Sequence, residues 1–393
     1  MGAALGRLTG ITGSAGAMAP GDAAAARESR HFPQFCRGLP SMQGKTVAIT
    51  GCSSGIGLIC AKVIAKTAAS LIMLNRHSAR SDQALAEVRE AAPDCDVRLV
   101  HCDLMSFSGV REAAKELRTA LGESGLDVLC NNAGVMASPD MATEDGCDTQ
   151  MQTNHLSHFL LTAELWPLLE KASALRGEAR VVNHSSIAAN SGSAKLEAKY
   201  LQKTGGNLGG ECHMEKWKRY QQSKLANVVF TYALDDVLRA SGSAIKVLVC
   251  HPGINMSHMQ QSWVPVTGAT RMLSGYLSQS TEDGAMGVLH CCCGSDVVSG
   301  GLYGPSGWGG MRGKPTLMPA EPLADDEARV MLWDQSLETT GADYMKFFEG
   351  APQAAGAAAG SGAAAGEVAA APEGDVREAP KGDAKARASD EHP

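Results

Sequence analysis

Tyr220-Gln221-Gln222-Ser223-Lys224 pairs a weak acid with a cation at a spacing that chemistry can use. A free phenol titrates near pH ~10, so it is poorly matched to proton transfer near neutrality. Lowering it by ~3 units requires ~4 kcal/mol. One ammonium ~4 Å away, at an effective dielectric of ~20, supplies about that much. Residues four apart on a helix share a face, so the spacing meets the need. A plain surface pair on an amphipathic helix has the same spacing, and the motif gains chemical sense only from what lies upstream. There the chain reads Thr50-Gly51-Cys52-Ser53-Ser54-Gly55-Ile56-Gly57. Glycines in a turn after a strand let the backbone approach a pyrophosphate, and the helix that follows offers free N–H groups and a positive dipole end. A proton carrier beside a dinucleotide turn implies hydride transfer between a nicotinamide and a carbonyl or alcohol.

Further candidates sit at the ends of apolar runs. Gly51, Ser53, Ser54, Gly55, Ile56 and Gly57 form the proposed cofactor turn. Asn75 and Arg76 close the second run without the acidic residue that would bind ribose hydroxyls; Arg76 can pair with a 2′-phosphate instead, so the expected cofactor is NADP(H). Asp103, followed by Leu104, is placed to accept from the adenine amino group. Asn132, Ala133 and Gly134 make a turn small enough for a backbone to pass close to the cofactor. Each of these is also an ordinary end-of-strand turn when taken singly. Ser186 ends the fifth run and is the candidate second donor to the substrate oxygen, with Ser185 as a turn residue. Serines at such positions also cap helices.

The elements that must position these residues follow from alternation. Short apolar runs at 46–49, 70–74, 97–102, 126–130, 179–184 and 245–250 are separated by helix-like stretches, the first over 56–67. This pattern predicts an α/β fold: a doubly wound parallel sheet with helices on both faces, Rossmann-type, with ligands at the carboxyl ends of the strands. Three zones emerge: an irregular leader over 1–43, one dinucleotide-binding domain over 44–349, and a tail over 350–393 rich in Ala, Gly, Pro and acid that cannot build a core. The 393 residues carry a formal net charge of -7, so no basic footprint points to nucleic acid. No apolar run is long enough for a transmembrane helix. The 12 cysteines include no pair at zinc-like spacing, and Cys291-Cys292-Cys293 cannot all face one ion because neighbours on a helix point about 100° apart. No metal site is expected. Buried reduced thiols suggest an intracellular compartment, cytoplasm or plastid or another organelle, with the leader readable as a transit peptide or as plain irregular chain.

Taken together and in order, Thr50-Gly51-xxx-Gly55-x-Gly57, Asp103, Asn131-Asn132-Ala133-Gly134, Asn154, Ser186, Tyr220-xxx-Lys224 and Pro252-Gly253 resemble the short-chain dehydrogenase/reductase family over about residues 44–340. The resemblance implies roles. Tyr220 would be the general acid in reduction and the base in oxidation. Lys224 would hold the nicotinamide ribose and lower the tyrosine's pKa. Ser186 would bind the reacting oxygen. Asn154 would hold a water linking Lys224 to solvent. Pro252, Gly253 and Ser257, the last where the family usually has Thr, would bind the nicotinamide carboxamide. Family members often dimerise through the helices carrying the equivalents of Asn154 and Tyr220, so a homodimer is expected as an option. The wording Gln152-Thr153-Asn154-His155-Leu156-Ser157-His158-Phe159 and Tyr220-Gln221-Gln222-Ser223-Lys224-Leu225-Ala226-Asn227 is similar to the retinol-dehydrogenase-like branch, which also includes a chloroplast translocon component and light-dependent protochlorophyllide reductases. His155, His158 and His251 then read as packing residues.

Two features bear on the substrate. From Ser186 to Tyr220 the chain runs 34 positions, longer than the family's usual spacing, and the excess holds Gly205-Gly206-Asn207-Leu208-Gly209-Gly210. After the sixth run, Met256, Met259, Trp263, Met272 and Tyr276 suggest an adaptable apolar lid over a lipophilic carbonyl or alcohol, or a Met-rich core helix. The expected activity is NADP(H)-dependent interconversion of a carbonyl and an alcohol on a lipophilic small molecule. Two other readings stay open: an NADPH-sensing scaffold that has kept the fold, and a light-dependent protochlorophyllide-type reductase. The Gln221-Gln222 pair, where that photoenzyme usually has Lys-Asp, weighs against the latter.

Overall fold

The computed structural model describes residues 28–190, 195–254, 278–307 and 309–348. In chain order the elements are α1 (Phe32–Arg37), β1 (Met42–Thr50), α2 (Gly55–Ala65), β2 (Ala68–Asn75), α3 (Ala79–Ala91), β3 (Asp96–His101), α4 (Phe107–Leu121) and β4 (Val128–Asn131). A helical turn α5 (Thr149–Met151) then passes through a π-helical turn, Gln152–Leu156, into α6 (Ser157–Arg176). After these come β5 (Ala179–His184), α7 (His213–Ser241), β6 (Ile245–Cys250), α8 (Thr281–Cys293), β7 (Leu302–Gly307), β8 (Arg312–Leu317) and α9 (Asp326–Thr340).

The eight strands form one sheet in the order β3-β2-β1-β4-β5-β6-β7-β8. All neighbours are parallel except β7 and β8. The central strands read as unbroken apolar runs because both faces are covered: β5 is buried at every position. One face packs under α2, α3 and α8 through Cys60, Ile64, Val88 and Leu289; the other packs under α4, α6 and α7 through Val110, Phe159, Trp166 and Phe230. Strand order reverses between β1 and β4, so the crevice at their carboxyl ends is where this architecture binds a ligand.

The doubly wound sheet is the expected one, with two additions. The β7–β8 hairpin, which carries Gly and Pro, is not among the six expected strands. Pro305 is tolerated because β6 pairs with β7 only at Leu302 and Tyr303, so no ladder bond to β6 needs its missing N–H. Among the described residues before β1, Phe32–Arg37 form a helix inside the zone expected to be an irregular leader. Asp283 of α8 accepts from the backbone N–H groups of Arg30, His31 and Phe32 at 2.9–3.0 Å, capping α1 from across the chain, and Phe32, Phe35 and Leu39 pack on the sheet face beneath. No local signal announces a cap supplied from so far away. Cys291, Cys292 and Cys293 all pack in the same core layer as Cys60, Cys130 and Cys250.

Candidate active site

β1 ends at Thr50, and the chain turns through Gly51 at a φ of 70° before α2 begins at Gly55. A Cβ at Gly51 would stand 2.7 Å from the Cα of Ala133, and one at Gly57 would collide with the carbonyl oxygen of Gly51. The two glycines therefore let turn, helix and the β4 terminus close on one another. Thr50 is the joint. Its Oγ1 accepts from the N–H groups of Asn132 and Ala133 at 3.0 and 2.9 Å. The Asn132 amide donates to the carbonyls of Thr50 and Gly51 at 2.8 and 3.2 Å, and its oxygen faces His184 Nδ1 at 2.9 Å. Asn132 and Ala133 thus shape the turn.

Groups that could meet a dinucleotide surround this turn. Ser54, the residue before α2, makes no side-chain cap, so the first-turn N–H groups of an 11-residue helix keep their donors for a ligand. Ser53 and Ile56 are half-buried, and Ser54 and Gly55 are exposed. Asn75 accepts from Cys52 N–H at 2.8 Å through Oδ1, while its buried Nδ2 has no partner in the protein. A buried donor left unpaired is costly, and a ligand oxygen would satisfy it. Arg76 is exposed beside it, its guanidinium only grazing the sulfur of Met105 at 3.8 Å. Asp103 is half-buried and accepts from Met105 N–H at 3.0 Å. Leu104, which follows it, packs its side chain in the core, and its carbonyl is taken by Ser157 Oγ at 2.7 Å. The donor set fits an anionic, hydroxyl-bearing dinucleotide. Pro252 and Gly253 follow β6. Gly253 has a φ of 65° and presses on the Met311 carbonyl, and the Pro252 carbonyl accepts from Gln279 at 2.7 Å. Ser257 and the apolar segment from Met256 to Tyr276 lie outside the described residues.

The proton-handling residues converge from β5, α7 and the π-helical turn. Ser185 is buried, its hydroxyl tied to the Lys224 carbonyl at 2.7 Å. Ser186 is half-buried and hydrogen-bonds the Tyr220 phenol. Tyr220 and Lys224 share one face of α7, with the ammonium 5.9 Å from the phenol ring centroid. Lys224 is 4% exposed, and its ammonium donates to the His184 carbonyl at 2.9 Å. Burial pulls its pKa down to about 8. The same burial raises the Tyr220 phenol above its usual value, and the Ser186 hydrogen bond opposes that rise. This differs from the expectation that Lys224 would lower the phenol. The pocket that makes an ammonium effective also penalises the phenolate, and the ammonium is turned to the His184 carbonyl.

Asn154 is held by its side chain. Its Oδ1 accepts from Val135 N–H at 2.7 Å, and its Nδ2 donates to the Val135 carbonyl and to Ser223 Oγ, each at 2.9 Å. Both amide hydrogens are used in holding the loop after β4 to α7, so a relay water could meet this side chain only at the second lone pair of Oδ1. Gly134 leaves room there: a Cβ on it would sit 3.2 Å from both Asn154 Oδ1 and Lys224 Nζ. Four histidines pack around these groups. Burial first of all lowers His184 and His155 to about 3, and His158 and His251 to about 4, so they are neutral at pH 7. Sequence reasoning quoted Thr50 and Ser223 within its motifs without giving them a role, and missed His184 altogether. Each acts through a partner far along the chain, and no local pattern marks it.

Comparison with known proteins agrees with this geometry. Residues 45–200 match the family model described as short chain dehydrogenase. Retinol dehydrogenase 14 of Mus musculus is 35% identical over 278 residues, covering 67% of this chain and 78% of that protein. Polyprenol dehydrogenase of Homo sapiens is 30% identical over 314 residues, covering 78% of this chain and 90% of its own length. A crystal structure of a protein from Mycobacterium Paratuberculosis superposes with a TM-score of 0.61 at 31% identity, over 79% of this chain and 98% of that one. The chain belongs to the short-chain dehydrogenase family. It is a retinol-dehydrogenase-like oxidoreductase with a Rossmann-type fold.

Proposed function

We propose that the protein interconverts a carbonyl and an alcohol on a lipophilic small molecule, using NADP(H). The observation that carries this is the buried contact between the Ser186 hydroxyl and the Tyr220 phenol, with Lys224 one helical turn on, at the carboxyl edge of the sheet beside the glycine turn. A bound nicotinamide supplies or accepts the hydride. In the reducing direction Tyr220 gives its proton to the substrate oxygen, and Ser186 donates a hydrogen bond to that oxygen as it gains charge. In oxidation Tyr220 takes the proton back. Lys224, when charged, stabilises the phenolate left behind. Asn154 keeps the loop after β4 and α7 in register around it. The preference for the 2′-phosphate is supported by Arg76, exposed and lacking a carboxylate partner among the described residues.

The lipophilic substrate class is supported by the relatives, whose names give retinol and polyprenol as what they act on. No described helix is long and apolar enough to cross a membrane. All 12 cysteines are unpaired thiols, and nine of them are buried, which suits a reducing compartment, cytoplasm or organelle. A homodimer through α6 and α7 is not the reading the packing supports. The seam between them is covered by α9 and by Tyr344, which lies 4.9 Å from Phe159 ring to ring and donates to its carbonyl at 2.9 Å.

The test is NADPH consumption by the full chain against aliphatic, aromatic and polyene aldehydes, with Tyr220→Phe alongside. The variant should lose at least ~1,000-fold in turnover while its NADPH affinity stays within a few-fold, since only the acid is removed. Comparable turnover by the variant would take Tyr220 out of proton transfer.

A further inference from the structure

Arg219, the residue before Tyr220, is fully buried. It gathers two chain segments that flank the site. Its Nη1 donates to the carbonyls of Leu208 and Gly210 at 3.2 and 3.0 Å, and its Nη2 donates to that of Ser138 at 3.2 Å. Its charge lies 3.7 Å from Asp140 and 3.4 Å from Asp148, both buried. Asp140 completes the cage from the other side, accepting from the N–H groups of Leu208 and Gly210 at 3.0 and 2.6 Å, while its own N–H donates to Glu211 at 2.6 Å. Asp148 carries the lock further by capping the N–H groups of Gln150 and Met151, the turn that leads into Asn154.

Both gathered segments hold a non-glycine residue in the left-handed region: Ala137 at a φ of 57° and Asn207 at 58°. An alanine keeps that conformation only where its surroundings impose it, whereas asparagine adopts it more readily. The clamped carbonyls of Ser138 and Leu208 are each the next residue along. The glycine-rich stretch between Ser186 and Tyr220 is thus fastened to the loop after β4 by one planar cation, whose fixed fork spreads its donors over two nitrogens to reach three carbonyls on two segments, a span that the single nitrogen of an ammonium does not match.

We propose that Arg219 is a positioning residue for substrate selection: it fastens residues 135–148 and 201–212 into a preset wall beside Tyr220, so that long apolar substrates are sorted by a fixed shape. The wall's exposed apolar side chain, Met141 at 56%, together with Met214 at 69% in the first turn of α7 just beyond the wall, supplies the contact surface for the part of the substrate remote from the carbonyl. This rests on the reading of the site as a carbonyl–alcohol oxidoreductase.

The experiment compares wild type, Arg219→Lys and Asp140→Asn with propanal and decanal, which share a reacting group and differ in tail length. Amide hydrogen exchange at Leu208 and Gly210 is followed in the same proteins. KM for decanal should rise about tenfold in both variants, the size of losing a packed methylene or two. The propanal constants, kcat for decanal and NADPH affinity should hold within about twofold, and the two amides should exchange at least about tenfold faster. Equal losses for both aldehydes, or unchanged exchange with unchanged KM, would overturn the assignment. Asp140→Asn keeps the Arg219 carbonyl bonds and serves if Arg219→Lys does not fold. Failure of the wild type on every carbonyl would instead remove the proposed reaction, and the selection role with it, while the exchange rates would still report whether Arg219 holds the wall.

Discussion

Replacing Lys224 by Met should make the ligand-free protein more stable while destroying its activity. The ammonium is buried and its pKa is drawn down to about 8, against about 10.4 for a free lysine. At pH 7 it is charged in both folded and unfolded chains, so the fold carries the whole cost of that shift, about 3 kcal/mol. Against this stands the bond to the His184 carbonyl, a net contribution of about 1 kcal/mol. Removing the lysine does not orphan that carbonyl, because Asn227 Nδ2 also donates to it at 3.2 Å. The expected net gain is about 2 kcal/mol, or a rise in melting temperature of roughly 4 °C or more. The sign with pH follows from linkage. Below pH 8 the penalty is constant. Between pH 8 and ~10.4 the unfolded chain holds the proton and the folded one does not, so wild-type stability rises with pH relative to the variant. Urea unfolding of both proteins without nucleotide, at unit steps from pH 6 to 10, reads the difference directly. A variant less stable than wild type at pH 7, by an amount that does not change with pH, would show that Lys224 is not held at electrostatic cost and would refute the reasoning.

Two further outcomes are expected. Arg76→Ala should weaken NADPH binding by tenfold or more and NADH binding by less than about twofold, because a 2′-phosphate contact is a charge-assisted bond absent from the other cofactor; fluorescence titration of both nucleotides decides it, and equal losses would move the phosphate elsewhere. Light scattering on the full chain should not show a dimer that disperses on mutating exposed positions of α6 and α7, since Leu332 and Tyr344, both fully buried, already pack there within the chain. A dimer held by those helices would mean that the C-terminal segment leaves them in solution.

The six central strands and the helices between them were legible because each obeys a local rule. Apolar runs such as Ala179–His184 must be buried on both faces, and Gly51 and Gly57 are needed wherever a turn and a helix close this tightly. The candidate catalytic residues Tyr220, Lys224 and Ser186 were legible because hydride transfer demands a tuned acid, a cation at helical spacing and a second donor; Asn154 joined them only through the family resemblance. Tertiary structure alone decided how those groups stand. It set the Lys224 ammonium on the His184 carbonyl and spent the Asn154 amide on Val135 and Ser223. It also made a helix of Phe32–Arg37 capped by Asp283, and made Arg219 the tie between two distant loops. A sequence states residue types and local periods. Hydrogen bonds to backbone groups tens or hundreds of positions away, and the desolvation that moves a pKa, exist only once the chain has folded and water has been excluded.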